Sequence, residues 1–128
     1  VGKMRKLSGE QVLKLHDALL EEFGGTAGIR DQGLLDSALN TPFTTFGGRY
    51  LYPSLQVKAV QLGFGLVSNH PFVDDNKRIG AHVVLVFLAI NGVELNYVQE
   101  ELIDAVLQVV SGNINAQGLL EWTLEHQA

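Results

Sequence analysis

The 128-residue chain contains no cysteine, which excludes disulfides, thiolate nucleophiles and cysteine-ligated zinc, and fits a reducing compartment. Lysine and arginine are absent after position 78. All nine lie in residues 1–78 beside eight Asp and Glu, whereas residues 79–128 carry six acidic residues and no basic one. An acidic half repels a phosphate backbone, so direct nucleic-acid binding, which needs a basic stripe, is not expected. Long apolar runs are also missing. The longest, Val83 to Ile90, falls far below the roughly 18–20 residues that cross a bilayer. The basic N-terminal stretch is followed by Ser8, Gly9, Glu10 and Gln11 rather than by an apolar segment. The expectation is therefore a protein of the cytoplasm, with no secretory signal and no membrane association.

What is present is apolar: 46% of residues are hydrophobic and only 18% charged, as in a single domain, here residues 1–128, built on one core. Ser8 and Gln11 form a capping box flanked by Leu7 and Val12, and Val12, Leu15, Leu19 and Phe23 continue at helical spacing to Gly24 and Gly25. Asp31 caps a short helix with Leu34, Leu35, Ala38 and Leu39 inward, stopped by Thr41 and Pro42. Ser54 opens a long helix to about Asn69 that is apolar most of the way round and belongs inside the domain. Residues 77–91 are rich in Val and Ile, yet their unbroken length argues for a central buried helix over a strand. Asn96 with Gln99 reads as an N-cap for a fifth helix that buries Leu102, Ile103, Val106, Leu107 and Val110, and Asn115 opens a sixth. The class is all-α, about six helices, with one irregular excursion. That excursion, Thr41 to Pro53, combines β-formers with a Gly-Gly turn and reads as a flap or small hairpin.

The chemistry is concentrated in His70 to Gly80, H-P-F-V-D-D-N-K-R-I-G, set between the two buried helices. A helix beginning near Asn76 or Lys77 offers first-turn N–H groups without intrahelical partners, an anion site for which phosphate is the common occupant. Lys77 and Arg78 stand in that first turn, where cations are unfavourable unless an anion offsets them. Asp74 lies just before it, placed to hold Mg²⁺, which takes one or two carboxylates plus phosphate oxygens. His70 precedes the turn and is the candidate to take a proton from a hydroxyl. Phe72 anchors the loop in the core. The same residues also make a polar turn with a capping histidine, and spacing alone does not separate the two readings. There is no G-x-S-x-G nucleophile, no G-x-x-x-x-G-K-[ST] loop and no histidine pair at zinc spacing. His16 and His126 read as surface residues. His82, one turn beyond Arg78, suits either the site or the core.

The run H-P-F-V-D-D-N-K-R resembles the signature of the Fic/Doc family, H-x-F-x-[DE]-[GA]-N-[GK]-R, in the lysine form of its death-on-curing (Doc) branch. Gly28-Ile29-Arg30-Asp31 with Gly33-Leu34-Leu35, Phe46-Gly47-Gly48 to Leu51-Tyr52-Pro53, and Phe87-Leu88 to Asn91-Gly92 are similar to that branch as well. The resemblance implies His70 as general base, Asp74 as Mg²⁺ carboxylate, and Asn76, Lys77 and Arg78 as phosphate-holding groups. It implies a flap of Thr44, Thr45, Phe46, Gly47, Gly48, Arg49 and Tyr50 that holds a target segment by strand-like contacts. Fic enzymes that transfer a nucleotidyl group carry a second arginine where this chain has Ala81. The Doc branch lacks that arginine too, and the resemblance implies a toxin kinase that moves the γ-phosphate of ATP to a hydroxyl of translation elongation factor Tu, inhibiting translation. Nucleotidyl (AMP) transfer, or a nucleotide- or partner-binding module with impaired catalysis, are the alternatives. Asp75 departs from the family's Gly or Ala, and its charge either weakens nucleotide binding or adds a metal ligand. The self-inhibitory pattern [ST]-x-x-x-E-[GN] is absent, which implies restraint by a separate antitoxin chain.

Overall fold

Ser8 starts the first helix as its spacing predicts. In the computed structural model, which describes residues 4–128, its side chain accepts from Gln11 N–H while Gln11 returns to Ser8 N–H. Residues 1–3 of the basic N-terminal stretch, and that part of the single-domain expectation, lie outside the described residues. Leu7 and Val12, on either side of the cap, are both buried and close the staple. Helix α1 runs Gly9–Phe23, and α2, Gln32–Asn40, is capped by Asp31 through Leu34 N–H. A 3₁₀ turn at Thr41–Phe43 follows, with Pro42 at its start.

The irregular excursion is a hairpin. Strands β1, Thr45–Phe46, and β2, Arg49–Tyr50, pair antiparallel with Thr45 opposite Tyr50 and Phe46 opposite Arg49. Gly47 and Gly48 form the two-residue turn at φ 59° and 79°, values that a side chain would resist. Ser54 then caps α3, Leu55–Asn69, and after the charged loop α4 runs Asn76–Ile90. The last helices are α5, Gln99–Ser111, and α6, Ala116–Glu125, the latter capped by Asn115. Six helices and one small hairpin carry the regular structure of the described residues, an all-α architecture.

The two apolar helices α3 and α4 form the centre, as their all-round hydrophobicity requires. They touch backbone to backbone: a Cβ added at Gly63 would lie 2.6 Å from Gly80 O, and one at Gly80 would lie 2.6 Å from Gly63 O. Leu62, Leu66, Ile79, Phe87 and Leu88 are buried in one core with Leu35 of α2. The buried α4 confirms the helix expected from its length over the strand suggested by its Val and Ile content.

Two expectations about α5 are corrected. Asn96 is not its cap: Leu95 bridges Gln127, and Asn96 N–H donates to His126 O, so the chain stays extended until Val98. Glu101 then closes the helix start on Val98 N–H at 2.9 Å. The face turned inward is also rotated. Ala105 and Val109 are buried and Leu102 and Val106 half-buried, whereas Ile103, Leu107 and Val110 are exposed, because α5 packs on α4 and α6 through the Leu102, Ala105 and Val109 side alone.

His126 is not free on the surface either. Both ring nitrogens face acceptors, Nδ1 toward Trp122 O at 2.7 Å and Nε2 toward Glu101 Oε2 at 2.8 Å, so both bonds are made when the ring is protonated, and the ring stacks on Trp122. The Trp122 carbonyl and the Glu101 carboxylate together raise its pKa. The pair clasps α6 to the start of α5.

Candidate active site

The loop between α3 and α4 opens on a cavity of about 420 Å³. Its walls are His70, Val73, Asp74, Asp75, Asn76, Lys77 and Arg78 on one side and Val106, Leu107 and Val110 of α5 on the other. The structure thus brings together His70, Asp74, Asn76, Lys77 and Arg78, the five residues singled out in the loop. The apolar wall explains where the second stripe of α5 faces. By contrast, the seam between α4, α5 and α6 holds only about 10 Å³ and is packing.

Each loop residue has a definite anchor. Phe72 is 1% exposed, and its backbone N–H and carbonyl are both taken by the side chain of Asn76, at 2.9 and 3.0 Å. The Asn76 amide is therefore spent on closing the loop, and what it can offer a ligand is its backbone N–H. Asp75, the helix N-cap, sits in the left-handed region at φ 61° and makes no side-chain cap bond. The first turn of α4 is left uncapped at the cavity wall, as an anion site requires.

Asp74 accepts Thr26 N–H at 3.1 Å and the N–H of Asp75 at 2.9 Å. These bonds, Thr26 first, hold its carboxyl below the usual carboxylate range and keep it ionised. Among the described residues no cluster of three or more histidine or acidic side chains could cage a metal. One firmly ionised carboxylate beside an anion site fits Mg²⁺ arriving with phosphate oxygens, not a cation held by protein alone.

The cations are placed but partly engaged. Lys77 Nζ donates to Val110 O at 2.8 Å, across the cavity on the last turn of α5. Arg78 lies over the Phe23 ring at 4.2 Å and 3.7 Å from Asp75 Oδ1. The other oxygen of Asp75, Oδ2, is buried and has no hydrogen-bond partner among the described residues. His82 does not line the cavity. It is half-buried toward α1, where burial lowers its pKa and Glu22 pulls the other way.

The hairpin forms where expected, but none of Thr44 to Tyr50 lines the cavity. Its base is fixed by Lys58, only 2% exposed, whose Nζ donates to Tyr52 O and Pro53 O at 2.6 and 3.0 Å and lies 3.9 Å from the Tyr50 ring centre. Burial lowers the pKa of this lysine. Lys58 and His70 are twelve residues apart, about 18 Å along α3.

Three contributors were invisible in the sequence. His16 is 1% exposed, not a surface residue: it stacks on Phe72 at 4.0 Å and 11°, and its Nε2–H donates to Asp74 O at 2.8 Å. Arg30 donates from Nε to His70 O at 2.7 Å and from Nη2 to Asn69 O at 2.9 Å. Lys58 is the third. The available signal was the Gly28–Asp31 loop, whose backbone grips the site loop through Arg30 and Asp31 N–H to Pro71 O and Val73 N–H to Gly28 O.

Comparison with known proteins bears on this geometry. The family model described as Fic/DOC family matches residues 6–88. A protein of Mycolicibacterium smegmatis described as Toxin Doc is 47% identical over 73 residues, which are 57% of this chain and 56% of that relative's length. A protein of Escherichia phage P1 described as Protein kinase doc is 28% identical over 118 residues, 92% of each chain. The family match takes in α3, the whole of the site loop and α4 as far as residue 88, though not the α5 wall of the cavity, and both relatives carry the Doc name: this chain belongs to the Fic/DOC family, in its Doc branch.

Proposed function

We propose that this protein is the toxin of a toxin–antitoxin pair and transfers the γ-phosphate of ATP to a hydroxyl of a target protein, with elongation factor Tu as the expected acceptor. The observation that carries the reading is the uncapped start of α4 in the wall of the cavity, with His70 and Asp74 on the same loop. The names of the two relatives, a toxin and a protein kinase, support it.

In this reading the backbone N–H groups of Asn76, Lys77 and Arg78 hold phosphate oxygens, and the guanidinium and ammonium groups neutralise charge that develops during transfer. Mg²⁺, held by Asp74, would supply further neutralisation of the phosphate oxygens. His70 takes the acceptor's hydroxyl proton on its imidazole as the oxygen bonds to the γ-phosphorus. The bond from that phosphorus to the β–γ bridging oxygen breaks, and ADP leaves. Positioning and charge are most of what phosphoryl transfer asks of a protein.

The acceptor would lie along the free hairpin edge as an added strand. Reaching from the base fixed at Lys58 to His70 needs about five or six extended residues. Restraint by a separate antitoxin chain completes the proposal, since no self-inhibitory motif is present.

Purified protein incubated with γ-labelled or α-labelled ATP and elongation factor Tu tests the reading. The expected result is γ-label on the acceptor, abolished by His70→Ala. Entry of α-label alone would assign nucleotidyl transfer, which the absence of a second arginine at Ala81 disfavours. Transfer of neither label would favour a binding module, the reading that the Arg78–Asp75 contact supports.

A further inference from the structure

The geometry points to Arg30 as the positioning residue of His70, an inference that rests on His70 being the base of the proposed reaction. Helix α3 ends at Asn69, and His70 as its C-cap takes the left-handed conformation, φ 49° and ψ 53°. A residue with a Cβ adopts that conformation only against resistance. At the same place the helix leaves carbonyls without N–H partners.

Arg30 answers both. Its fork reaches two consecutive carbonyls, His70 O through Nε and Asn69 O through Nη2, at 2.7 and 2.9 Å. The planar guanidinium suits such paired acceptors better than an ammonium, and its charge stands at the negative end of α3. Downstream, the loop is held by main chain: Pro71 O accepts from Arg30 N–H and Asp31 N–H, and Ile29 bridges Phe72. Upstream, the Asn69 side chain donates to Leu34 O at 3.0 Å. The peptide of His70 lies between these clamps. Among the described residues, Arg30 is the one hydrogen-bond partner of its carbonyl.

Removing the fork therefore releases the aim of the imidazole without loosening the ends of the loop. Arg30 is exposed and lies outside the cavity wall, so neither the core nor the phosphate-holding groups change with it. Misplacing a reacting group by about 1 Å can cost 100-fold in rate. Arg30→Gln should lower kcat by about 10- to 100-fold while KM for ATP stays within about twofold. Arg30→Lys keeps the charge and one hydrogen bond and should recover part of the loss.

The experiment measures kcat and KM for transfer from γ-labelled ATP to elongation factor Tu in wild type, Arg30→Gln and Arg30→Lys. It adds the NMR signal of the His70 ring in the full chain without substrate, and the melting temperature. The expected outcome is a fall in kcat alone, partial rescue by lysine, a shifted His70 signal and a melting temperature lowered by no more than about 5 °C. An unchanged kcat, a rise confined to KM, an unmoved His70 signal, or unfolding that lysine does not rescue overturns the inference. If wild type transfers no γ-phosphate, the kinase reading falls, and the His70 signal still decides for or against Arg30.

Discussion

Replacing Asp75 by glycine should make this protein both more stable and a better nucleotide binder. Asp75 occupies the left-handed region at φ 61°, which for a residue with a side chain costs about 1 kcal/mol. Glycine removes that strain but returns most of it as chain entropy in the unfolded state. The decisive contribution is Oδ2, buried with no hydrogen-bond partner among the described residues, for which about 1–3 kcal/mol of desolvation is recovered. Against this stands the pair with Arg78, at 3.7 Å and with the Arg78 side chain 42% exposed, worth at most about 1 kcal/mol after solvent screening. The balance is a gain of about 1 kcal/mol, a rise of roughly 3–5 °C in melting temperature for a domain of this size. Binding should change more. A carboxylate about 6 Å from a phosphate repels it by about 2–3 kcal/mol at an effective dielectric of 20, reduced by the openness of the cavity. Its removal, with Arg78 set free, should tighten ATP binding about tenfold. Calorimetric titration with a non-hydrolysable ATP analogue, with and without Mg²⁺, measures this. Asp75→Asn, which tolerates the same backbone angles, should reproduce the gain in affinity and less of the gain in stability. A lower melting temperature would refute the stability argument, and weaker binding confined to Mg²⁺-containing buffer would refute the binding argument and make Asp75 a metal ligand.

Gly63→Ala should destabilise the chain by about 1–3 kcal/mol or more, seen in denaturant midpoints, because the new methyl meets Gly80 O at 2.6 Å and backbone cannot step aside as a side chain can. Lys58→Met strands two carbonyls at the hairpin base, so amide exchange across residues 44–53 should accelerate while global stability falls by about 1–2 kcal/mol. The His126–Glu101 clasp should show a definite pH window. The raised pKa of His126 makes its contribution fully present below the unfolded value of about 6.5 and lost as pH rises through the folded value. Glu101, lowered by Val98 N–H and then by His126, contributes above about 4.3 and loses it in acid. The difference in melting temperature between wild type and His126→Gln should therefore be largest near pH 5–6 and shrink toward pH 8, and a difference that grew with pH would contradict the assignment.

The helices were legible because their signals are local. Ser8, Asp31, Ser54 and Asn115 each cap the helix that follows them, and length separated strand from helix in α4. Errors arose where a partner distant in sequence decides. Asn96 looks like a cap until Gln127 pairs with Leu95, and the inward face of α5 depends on how α4 and α6 dock against it. His16 lies 58 residues from Asp74, so no spacing rule announces it. The site divides the same way. The cluster from His70 to Arg78 was readable because one loop carries it. The supports supplied by Arg30, His16 and Lys58, and the absence of the hairpin from the cavity wall, depend on how separate segments dock.

The contact between Gly63 and Gly80 works like the pivot of a caliper. His70 rides on the end of one arm and the uncapped amides on the start of the other, so a ligand gripped between the tips would join the two helices that make the core. Local fraying cannot release it; the arms must part. Occupancy of the site should therefore be felt by the whole domain, and a nucleotide at 100 times its Kd should add about 2.7 kcal/mol to global unfolding and slow exchange of the innermost amides of α3 and α4 alike.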